Sequence, residues 1–550
     1  MPLSYTNPVY PYRRSADQDR PGAHHPVVIV GGGMVGLGMA VELAARGVAS
    51  VVLDDNDTVS VGSRAICHAK RALEIYDRWG VAGRMREKGI LWNLGRVFLR
   101  DRQIYDFNLL PEDGHQWPAF INLQQYYLEE WLVDAAEATG LVDLRWRNAV
   151  KAVRPRSGGV DLDVETPEGS YSLSSDWLIA CDGAGSLVRR SLGLDFTGKV
   201  FEDRFLIADV KMKADFPTER WFWFDPPFNP GQSALLHRQA DDVFRIDLQL
   251  GADADPELER QPERVIPRLR AMLGPDVPFE LDWVSVYTFC CRRLERFRHG
   301  RVVFAGDSAH QVSPFGARGG NGGVQDVDNL GWKLALVLQG LAPESLIDTY
   351  DAERIPASDE NILNSTRSTD FISPKNGASR AFRDAALELA ASHAFARPLV
   401  NSGRLSRPHV YAATPLSTPD RDAFAGGIVP GRPMEDAPVR IDGRDDWLLH
   451  RLAPGFTALV FGAVDPAVAV ELADGPVPIA VLSVGEGAGQ MVDVAGLVAR
   501  RYDGRPGTTY LVRPDGHVAA RLRRFDPAAI AEARDRAIGV LPARSLGAVA

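Results

Sequence analysis

Cysteine and long apolar runs are both scarce in this chain, and each shortage excludes a class of protein. Its 550 residues include four cysteines, Cys67, Cys181, Cys290 and Cys291, and no two of them form a CxxC pair. This usage is typical of a reducing compartment, so we expect a cytoplasmic protein without a disulfide framework. No stretch of about 18 or more apolar residues occurs, so the sequence predicts no membrane-spanning helix.

Positive charge is not in excess either. The formal net charge is −10 and the pI is about 5.7, which gives no reason to expect nucleic acid or an anionic membrane as a partner. The histidines, cysteines and acidic residues show no metal-ligand spacing, so we expect no metal site, and His310 is interpreted as structural. A chain of 550 residues is long enough for two or three domains with ample core.

Shifts in residue pattern divide the chain into segments. Strand–glycine–helix patterns indicate an α/β domain, and short alternating apolar runs indicate a second sheet, with strands throughout 201–290. The predicted boundaries are an N-terminal arm over 1–25, the first domain over 26–200 with part of the second sheet near 90–120, the second sheet over 201–290, long helices completing the first domain over 291–395, a basic linker over 396–433, and a separate α/β domain over 434–550.

Three glycine-bearing segments carry the functional signal, and the first follows a β-branched strand. Gly31, Gly33 and Gly36 form G-x-G-x-x-G between that strand and a helical run. In this motif the glycines allow a tight turn, close approach to a pyrophosphate and close strand–helix packing. Asp54 ends the next strand, where an acidic side chain binds ribose hydroxyls. The motif alone does not choose between FAD and NAD, and a glycine turn without a ligand is the alternative.

The second and third segments each place a carboxylate after a strand. One strand ends in Asp182-Gly183, and a later one ends in Gly306-Asp307. Open α/β sheets bind ligands at these carboxyl ends, and Asp307 is suited to accept hydrogen bonds from a ribityl chain. Pro314 and a glycine-rich run follow, and the next helix would direct its positive dipole end at an electron-rich ring edge. Taken alone, a Gly-Asp pair is also common in plain turns.

Together, these segments resemble those of the class A flavin-dependent aromatic hydroxylases, the group of p-hydroxybenzoate hydroxylase, phenol hydroxylase and 3-(3-hydroxyphenyl)propionate hydroxylase. The resemblance covers about residues 25–375 and is most specific over 181–189, 306–333 and 348–356. It implies an α/β fold in which a Rossmann-like FAD-binding domain is interleaved with an antiparallel-sheet substrate domain. Segments near 431, 456 and 510 resemble the C-terminal thioredoxin-like domain of the larger members.

The resemblance also implies roles for individual residues around bound FAD. Asp182 and Gly183 belong to a motif that serves both FAD and NAD(P)H, and Gly306-Asp307 is the segment that holds the ribityl chain. The other implied contacts are Pro314 beside the flavin on its oxygen-activating face, Gly319, Gly320 and Asn321 at the pyrimidine edge, Arg64 and Gln125 near the phosphates and sugar, and Val150 at the adenine. Because Gln124 is adjacent to Gln125, either of the two glutamines matches the family's position. A solvated arginine and a helix cap are the alternatives for Arg64 and Gln125.

The reaction implied by this family uses NADH or NADPH to reduce FAD, which then reacts with O2. The resulting flavin C4a-hydroperoxide delivers one oxygen atom to a small phenolic or aromatic substrate, and the other leaves as water. The cofactor carries this chemistry, while the protein excludes water and favours the phenolate form. The C-terminal domain has no cysteine, so it would serve structure or subunit contact, and we expect a homodimer.

Candidate substrate-side residues lie in the predicted second sheet. The run R220-W-F-W-F-D-P-P-F is aromatic enough to line a flat site, although aromatic strands are more often ordinary core. His237 and Tyr287 alternate with apolar neighbours and could polarise a phenol hydroxyl. Arg245 could pair with a substrate carboxylate or with the surroundings of Asp247. For His237, Tyr287 and Arg245, a structural role in the sheet is the alternative.

Three other functions fit parts of the pattern. Trp221, Trp223 and Pro226 nearly match the W-x-W-x-I-P hallmark of flavin-dependent halogenases, with Asp225 in place of isoleucine. A monooxygenase that tailors a polyketide or antibiotic shares the same motifs and would need a larger pocket. A nucleotide-binding module without catalysis is the alternative outside the enzymes.

Overall fold

The computed structural model describes residues 5–20, 22–251, 253–400 and 405–541, and predictions for the remaining residues lie outside the described ones. The strands, numbered in chain order, are β1 (Ala23–Val30), β2 (Ser50–Leu53), β3 (Cys67–Ala69), β4 (Ile90–Trp92), β5 (Leu94–Leu99), β6 (Arg102–Asn108), β7 (Phe120–Asn122), β8 (Val142–Arg145), β9 (Ala149–Arg156), β10 (Gly159–Thr166), β11 (Gly169–Ala180), β12 (Thr197–Lys211), β13 (Arg220–Phe224), β14 (Ser233–Arg238), β15 (Val243–Leu250), β16 (Glu280–Arg293), β17 (Arg298–His299), β18 (Val302–Phe304), β19 (His310–Gln311), β20 (Pro438–Ile441), β21 (Arg444–Trp447), β22 (Phe456–Phe461), β23 (Ile479–Val484), β24 (Val492–Asp493), β25 (Thr509–Val512) and β26 (Val518–Leu522). The α-helices are α1 (Met34–Ala44), α2 (Lys70–Arg78), α3 (Ala82–Lys88), α4 (Gln125–Ala138), α5 (Leu187–Ser191), α6 (Pro256–Glu259), α7 (Pro262–Leu273), α8 (Gly319–Leu338), α9 (Asp348–Ile372), α10 (Gly377–Ser392), α11 (Arg397–Val400), α12 (Pro466–Ala473), α13 (Leu497–Arg501) and α14 (Pro527–Ala537).

The first sheet contains the predicted β-α-β unit. Its strands lie in the order β17-β18-β11-β1-β2-β8, and β18, β11, β1, β2 and β8 run parallel. Residues 27–30 of β1 are all buried, because the strands of a parallel sheet are covered on both faces. Helix α1 contacts both α4 and α8. The loops that follow β1, β11 and β18 therefore emerge at one edge of the sheet, as the motifs require.

The second sheet is antiparallel apart from one strand pair and turns one face towards the first domain. Its order is β19-β16-β12-β15-β14-β13-β5-β6, in which β13 and β5 run parallel. Successive side chains alternate between the two faces. One face packs on α7 through Leu206 and Val265. The other face packs on α9, α10 and the loop of Phe315 through Phe205 and Phe224, so it faces the glycine-rich loop.

Two helices interrupt the second sheet in sequence. The alternating runs predict strands throughout 201–290, and this prediction is wrong for most of residues 256–273, which form α6 and α7. Both helices begin with a proline in the first turn, and the Asp255 side chain caps α6. Val265 and Leu269 lie one turn apart on α7 and are fully buried against the sheet. The helical signal was present, as a proline start followed by an i,i+4 apolar pair.

The C-terminal segment forms a sheet of its own, attached through buried ion pairs. Its strands lie in the order β23-β22-β25-β26, with β22 and β23 parallel and the other pairs antiparallel. Arg513 donates to both Glu353 oxygens, at 2.6 and 3.0 Å, and Lys333 donates to Glu353 at 2.7 Å. These charges lie between the C-terminal sheet and helices α8 and α9, so the two parts of the chain are held together by a polar cluster.

The N-terminal arm lies along the first domain. The Tyr5 ring stacks on Tyr126 with centroids 4.1 Å apart, and the Tyr10 ring stacks on Trp146 with centroids 4.6 Å apart. The Asn7 amide donates to two carbonyl groups of the 59–60 loop, at 3.1 and 3.0 Å. Among the described residues, every helix is too short or too polar to cross a bilayer.

Candidate cofactor and substrate site

The first glycine loop is packed tightly against the neighbouring strand end. Gly31 has φ +106°, which other residues rarely adopt, and a Cβ there would lie 2.4 Å from the Cys181 carbonyl oxygen. A Cβ on Gly36 would lie 1.9 Å from the Gly31 carbonyl oxygen. Gly33 caps α1 in extended conformation, and Met34 begins the helix. The loop therefore runs close beside the neighbouring strand into the N-terminus of α1, where such motifs bind a pyrophosphate.

Asp54 and a small recess lie beside this loop. The Gly32 amide donates to the Asp54 carboxylate, and burial raises the pKa of Asp54. The recess is lined by Gly32, Val52, Asp54, Leu144, Arg145 and Trp146. Val150 lies on β9, in the same apolar cluster as Trp146. A carboxylate next to a flat indole wall is suited to a ribose and its base.

Gln125 and Glu129 join the 60–65 segment to the start of α1. Gln125 Oε1 accepts from the Ala65 amide at 3.0 Å, and Gln125 Nε2 donates to Glu129 at 2.7 Å. Glu129 is 1% exposed and also accepts from the Met34 amide at 3.1 Å. Gln124 instead donates to a carbonyl group at residue 240. Of the two adjacent glutamines, Gln125 is the one whose side chain reaches this segment.

Arg64 and Asp182 each keep polar atoms that the described protein does not use. Arg64 is exposed at φ +45°, and only its Nε approaches a carbonyl, that of Val61, at 3.4 Å. Asp182 Oδ2 accepts from the Val188 amide at 3.0 Å, while Asp182 Oδ1 is buried with no hydrogen-bond partner among the described residues. Gly183 follows at φ +73°. Asp182 therefore caps a helix with one oxygen and has the other left for a ligand.

The Gly306-Asp307 turn is held from behind by a buried ion network. Gly306 has φ +65°, and its amide donates to Asp326 Oδ2 at 2.9 Å. Asp326 also accepts from His310 at 2.6 Å and from Arg354 at 2.7 Å. Although burial opposes it, these two partners hold the pKa of Asp326 below its usual range. The Asp307 side chain reaches solvent, and no described residue hydrogen-bonds to its carboxylate. Desolvation by the protein packed around the turn raises the pKa of Asp307. The turn thus presents a free carboxylate in a defined position.

The loop after Asp307 leads into the long helix α8. Pro314 is exposed, and Gly319 and Gly320 form the first turn of α8. The Asn321 side chain accepts from an amide of β3 at 2.9 Å and donates to a carbonyl of β3 at 2.9 Å. That side chain is therefore structural, and the backbone of the first turn is what this loop offers to a ring edge. The helix N-terminus adds a positive dipole end there.

The site-facing side of the second sheet carries a row of buried polar side chains. Opposed residues of neighbouring strands share one face, and Arg220, His237, Arg245 and Asp209 are opposed in that order across β13, β14, β15 and β12. His237 Nδ1 lies 3.9 Å from Cys67 Sγ. Burial and the two guanidinium groups hold the pKa of His237 well below its ordinary value. These surroundings therefore favour the uncharged imidazole.

Arg245 and Tyr287 differ in how far they are engaged. Arg245 Nε donates to Asp247 at 3.0 Å, and its Nη1 donates to the Arg64 carbonyl at 2.6 Å. Of the two partners considered for Arg245, the structure brings Asp247 into contact. Tyr287 is 37% exposed, lies opposite Phe205, and forms no hydrogen bond within the described part of the chain.

The aromatic strand β13 divides its rings between the two faces. Phe222 and Phe224 join the cluster on the site side. Trp221 and Trp223 join the opposite cluster, where both contact Phe98 with ring centroids 5.0 Å away. The two tryptophans of the halogenase-like motif therefore point away from the glycine-rich loops.

Sequence reasoning missed three buried charges that hold these loops in place. Glu129 fastens the start of α1, and Asp326 with Arg354 fastens the Gly306 turn. In the sequence, each of them is only a charged residue on an otherwise apolar helical face. Such a residue does not reveal its role until its partner is known. Arg220 opens the aromatic run of the second sheet, and it is a further buried charge that the sequence does not reveal.

Comparison with known proteins agrees with this geometry. The sequence profile of the FAD binding domain family matches residues 24–365. The chain is 30% identical over 547 residues to 6-methylpretetramide 4-monooxygenase of Streptomyces rimosus, with 94% of each chain covered. It is 28% identical over 541 residues to the "Probable NADH-specific resorcinol 4-hydroxylase" of Rhodococcus jostii, covering 96% of this chain and 99% of that one. Its fold is similar to that of the flavin-dependent monooxygenase PieE, with a TM-score of 0.82 at 24% identity over 94% of this chain and 100% of that one.

The residues themselves fit FAD. The glycine loop leads into a helix N-terminus, and the recess beside Asp54 has a flat wall. The Asp307 carboxylate and one carboxylate oxygen of Asp182 have no hydrogen-bond partner in the described protein. The chain therefore binds FAD and belongs to the class A flavin-dependent aromatic hydroxylases.

Proposed function

We propose that the protein hydroxylates a phenolic substrate with NADH or NADPH as electron donor and O2 as oxygen source. The observation that carries this proposal is the meeting of two surfaces at Cys67. The Cys67 carbonyl accepts from Asn321 at 2.9 Å, on the side of the N-terminus of α8. Its Sγ lies 3.9 Å from His237, on the side of the second sheet. The proposed flavin site and the polar, aromatic face of the second sheet therefore both border on strand β3.

The proposed FAD site uses the residues that the motifs predict. The pyrophosphate would lie at Gly31, Gly33 and Gly36, a ribose at Asp54, the ribityl chain at Gly306-Asp307, and the ring at Pro314 and residues 319–321, with Arg64, Gln125, Val150 and Asp182-Gly183 completing the contacts. When bound, FAD supplies the redox chemistry: it takes electrons from NADH or NADPH and, with O2, transfers one oxygen atom to the ring while the other leaves as water.

The chain's own residues would orient the substrate and keep water out. The N-terminus of α8 stabilises negative charge at the ring edge. Phe205, Phe224 and Phe315 form an apolar cluster that excludes water from the sheet side. The His237 ring has a nitrogen that can accept a hydrogen bond from a phenol hydroxyl and so polarise it. Burial supports His237 over the more exposed Tyr287 in this role.

A second candidate is the tailoring of a larger polycyclic ring. It is supported by the likeness over 94% of both chains to 6-methylpretetramide 4-monooxygenase. The likeness to the resorcinol hydroxylase covers a similar share of both chains. It supports a substrate with a single ring and NADH as the electron donor. The halogenase alternative has less support, because Trp221 and Trp223 pack on the face turned away from the loops.

We also propose that residues 434–541 are a thioredoxin-like domain with a structural role. The strand order β23-β22-β25-β26, with one parallel and two antiparallel pairs, supports that fold. All four cysteines lie outside this segment, so it has no dithiol chemistry. The cytoplasmic location and the homodimer stay predictions.

Turnover with defined phenols tests the hydroxylase proposal. We expect a yellow protein with a band near ~450 nm, whose slow NADH or NADPH oxidation accelerates with one class of phenol. Mass spectrometry should then find a product that has gained one oxygen atom. Resorcinol, 3-(3-hydroxyphenyl)propionate and a polycyclic phenol separate the two candidates. Equal oxidation rates with every aromatic and no hydroxylated product would overturn the proposal.

A pair of variants tests the role of His237. His237→Gln should lower the turnover number for hydroxylation while the FAD content stays that of the wild type, because the imidazole that polarises the phenol hydroxyl is lost but no FAD contact is. Tyr287→Phe is the matched control, since it removes the other candidate hydroxyl partner on the same face. A larger loss for Tyr287→Phe than for His237→Gln would reverse the assignment.

A further inference from the structure

The loop that follows β2 is held from outside by the N-terminal arm. Residues 54–60 form neither helix nor strand, although the loop begins with the site residue Asp54. The Asn7 side-chain amide donates to two carbonyl groups of this loop, at 3.1 and 3.0 Å, and the Tyr10 backbone amide donates to a third at 2.7 Å. A loop without a strand or helix ladder keeps its position only through such contacts. The arm therefore supplies three of the hydrogen bonds that fix the Asp54 loop.

The same arm packs against a second wall of the recess beside Asp54. The segment after β8 is joined to the Asp54 loop by backbone hydrogen bonds of residues 147 and 148, at 2.9 and 2.7 Å. Trp146 precedes them and lines the recess. The Tyr10 ring stacks on Trp146 with centroids 4.6 Å apart and planes 9° from parallel. Tyr10 thus holds one wall of the recess through its amide and another through its ring.

A third contact ties the arm to Arg145, which also lines the recess. Arg145 is 5% exposed, and its Nη2 lies 2.6 Å from Asp17 of the arm in an ion pair. Arg145 also donates to Asp143 at 2.7 Å and to the Tyr171 hydroxyl at 3.1 Å. Since these partners engage the guanidinium, Arg145 fastens the arm to the sheet. The arm is therefore attached at the Asp54 loop, at Trp146 and at Arg145, all of which border one recess.

Another tyrosine of the arm lies away from the recess. Tyr12 is partly buried, as Tyr10 is. Its hydroxyl lies 2.7 Å from Gln18 Oε1, within the arm, and 3.2 Å from Thr166 Oγ1, at the end of β10. The two tyrosines therefore offer the same side chain with and without a contact to the recess.

We propose that the N-terminal arm belongs to the FAD site, where Tyr10 and Asn7 position the walls around the adenosine end of the cofactor and slow its release. This inference rests on the proposed placement of FAD, with a ribose at Asp54. The arm fixes the Asp54 loop and Trp146 before FAD binds, so less conformational freedom is lost on binding. Because Tyr10 acts through Trp146 and the loop, it is a positioning residue.

The test measures the rate at which the FAD-loaded, full-length protein releases FAD on dilution, followed by flavin fluorescence. We expect Tyr10→Ala to release FAD about 2- to 12-fold faster than the wild type, the range that one aromatic stack allows. Tyr10→Phe keeps the ring and should restore the wild-type rate. Asn7→Ala should also speed release, because it removes two hydrogen bonds to the loop, and the double variant Asn7→Ala/Tyr10→Ala should release FAD fastest. If Tyr10→Ala does not retain FAD, the rate of Asn7→Ala decides.

Tyr12→Ala is the matched control, since it removes the same side chain from the same arm without touching the recess. Its release rate should equal that of the wild type. Hydrogen exchange followed by mass spectrometry should quicken in peptides over 54–60 for Tyr10→Ala and not for Tyr12→Ala. An unchanged release rate in Tyr10→Ala, or an equal rise in both alanine variants, overturns the inference.

Asp54→Ala separates the arm's role from the placement of FAD. If this variant binds FAD as tightly as the wild type, the proposed placement is wrong. Weaker FAD binding by Asp54→Ala, together with wild-type release from Tyr10→Ala, refutes the role of the arm alone. Neither result depends on whether a hydroxylated product forms, so a failure of the hydroxylase proposal stays distinguishable from both.

Discussion

Replacing Asp326 by asparagine should weaken FAD binding, because Asp326 holds the turn that carries Asp307. Its Oδ2 accepts from the Gly306 amide at 2.9 Å and from His310 at 2.6 Å, and its Oδ1 accepts from Arg354 at 2.7 Å. Asparagine has one acceptor oxygen and one NH2 donor, so at least one of these donors would face another donor. The substitution also removes the counter-charge of the buried Arg354 guanidinium.

The size of the effect follows from these contacts. Breaking a buried charge pair costs about 3–5 kcal/mol, so we expect Asp326→Asn to lower the free energy of unfolding by roughly that amount. The Gly306 amide loses a hydrogen bond to a charged group, which contributes about 1.5–3 kcal/mol. If the FAD site depends on that bond, the Kd for FAD rises roughly 10- to 150-fold, at about 1.36 kcal/mol per tenfold.

Asp328→Asn separates the loss of stability from the loss of the turn. Asp328 lies two residues further along α8, is 2% exposed, and pairs with Arg71 at 2.9 Å and with Arg78, but it does not bond to the Gly306 turn. We expect urea unfolding, followed by circular dichroism, to show a similar destabilisation for both variants. Titration with FAD, followed by flavin fluorescence, should show weaker binding for Asp326→Asn alone. Equal FAD affinities in the two variants would refute the reasoning.

Three other substitutions test single contacts. Asp307→Asn should raise the Kd for FAD about 10- to 150-fold in the same titration, since it weakens charge-assisted hydrogen bonds worth about 1.5–3 kcal/mol, whereas Asp276→Asn on the exposed surface should not. Gly36→Ala should yield colourless protein, because its Cβ would lie 1.9 Å from the Gly31 carbonyl oxygen, while Gly83→Ala has open space and should stay yellow. Hydrogen bonds to Asp77 and Asp446 raise the pKa of His450 from 6.5 to about 9, so its contribution to stability is complete below pH 6.5 and is lost as the pH rises through 9. His450→Gln should flatten the pH dependence of thermal unfolding across that interval, and an unchanged slope would contradict the assignment.

Local patterns predicted the parts of the fold that depend on local constraints. Helix α4 follows from such a local pattern, because its apolar residues recur with helical spacing. The glycine loop was predictable because the Gly31 turn needs a positive φ and the Gly36 position leaves no room for a Cβ. Helices α6 and α7 were missed, since a strand-like neighbourhood outweighed their proline starts.

Side-chain partners could not be predicted in the same way. Arg245 and Arg220 both sit in strands rich in apolar residues, yet one is bound to Asp247 and the other has no partner among the described residues. Strand register decides such outcomes, because a shift by one residue turns every side chain to the other face. The same alternation places Phe222 on the site side and Trp223 on the opposite side.

By itself, the sequence identified a dinucleotide-binding motif at Gly31 to Gly36 and a resemblance to the flavin hydroxylases. Turn geometry and residue spacing carry that information along a short stretch of chain. Only the tertiary structure decided that Asp326 fixes the Gly306 turn, that Arg245 is already paired, and that Arg220 is buried without an ion pair to any described residue. The free energy of a buried charge depends on partners from distant strands and helices, and those partners meet only when the chain has folded.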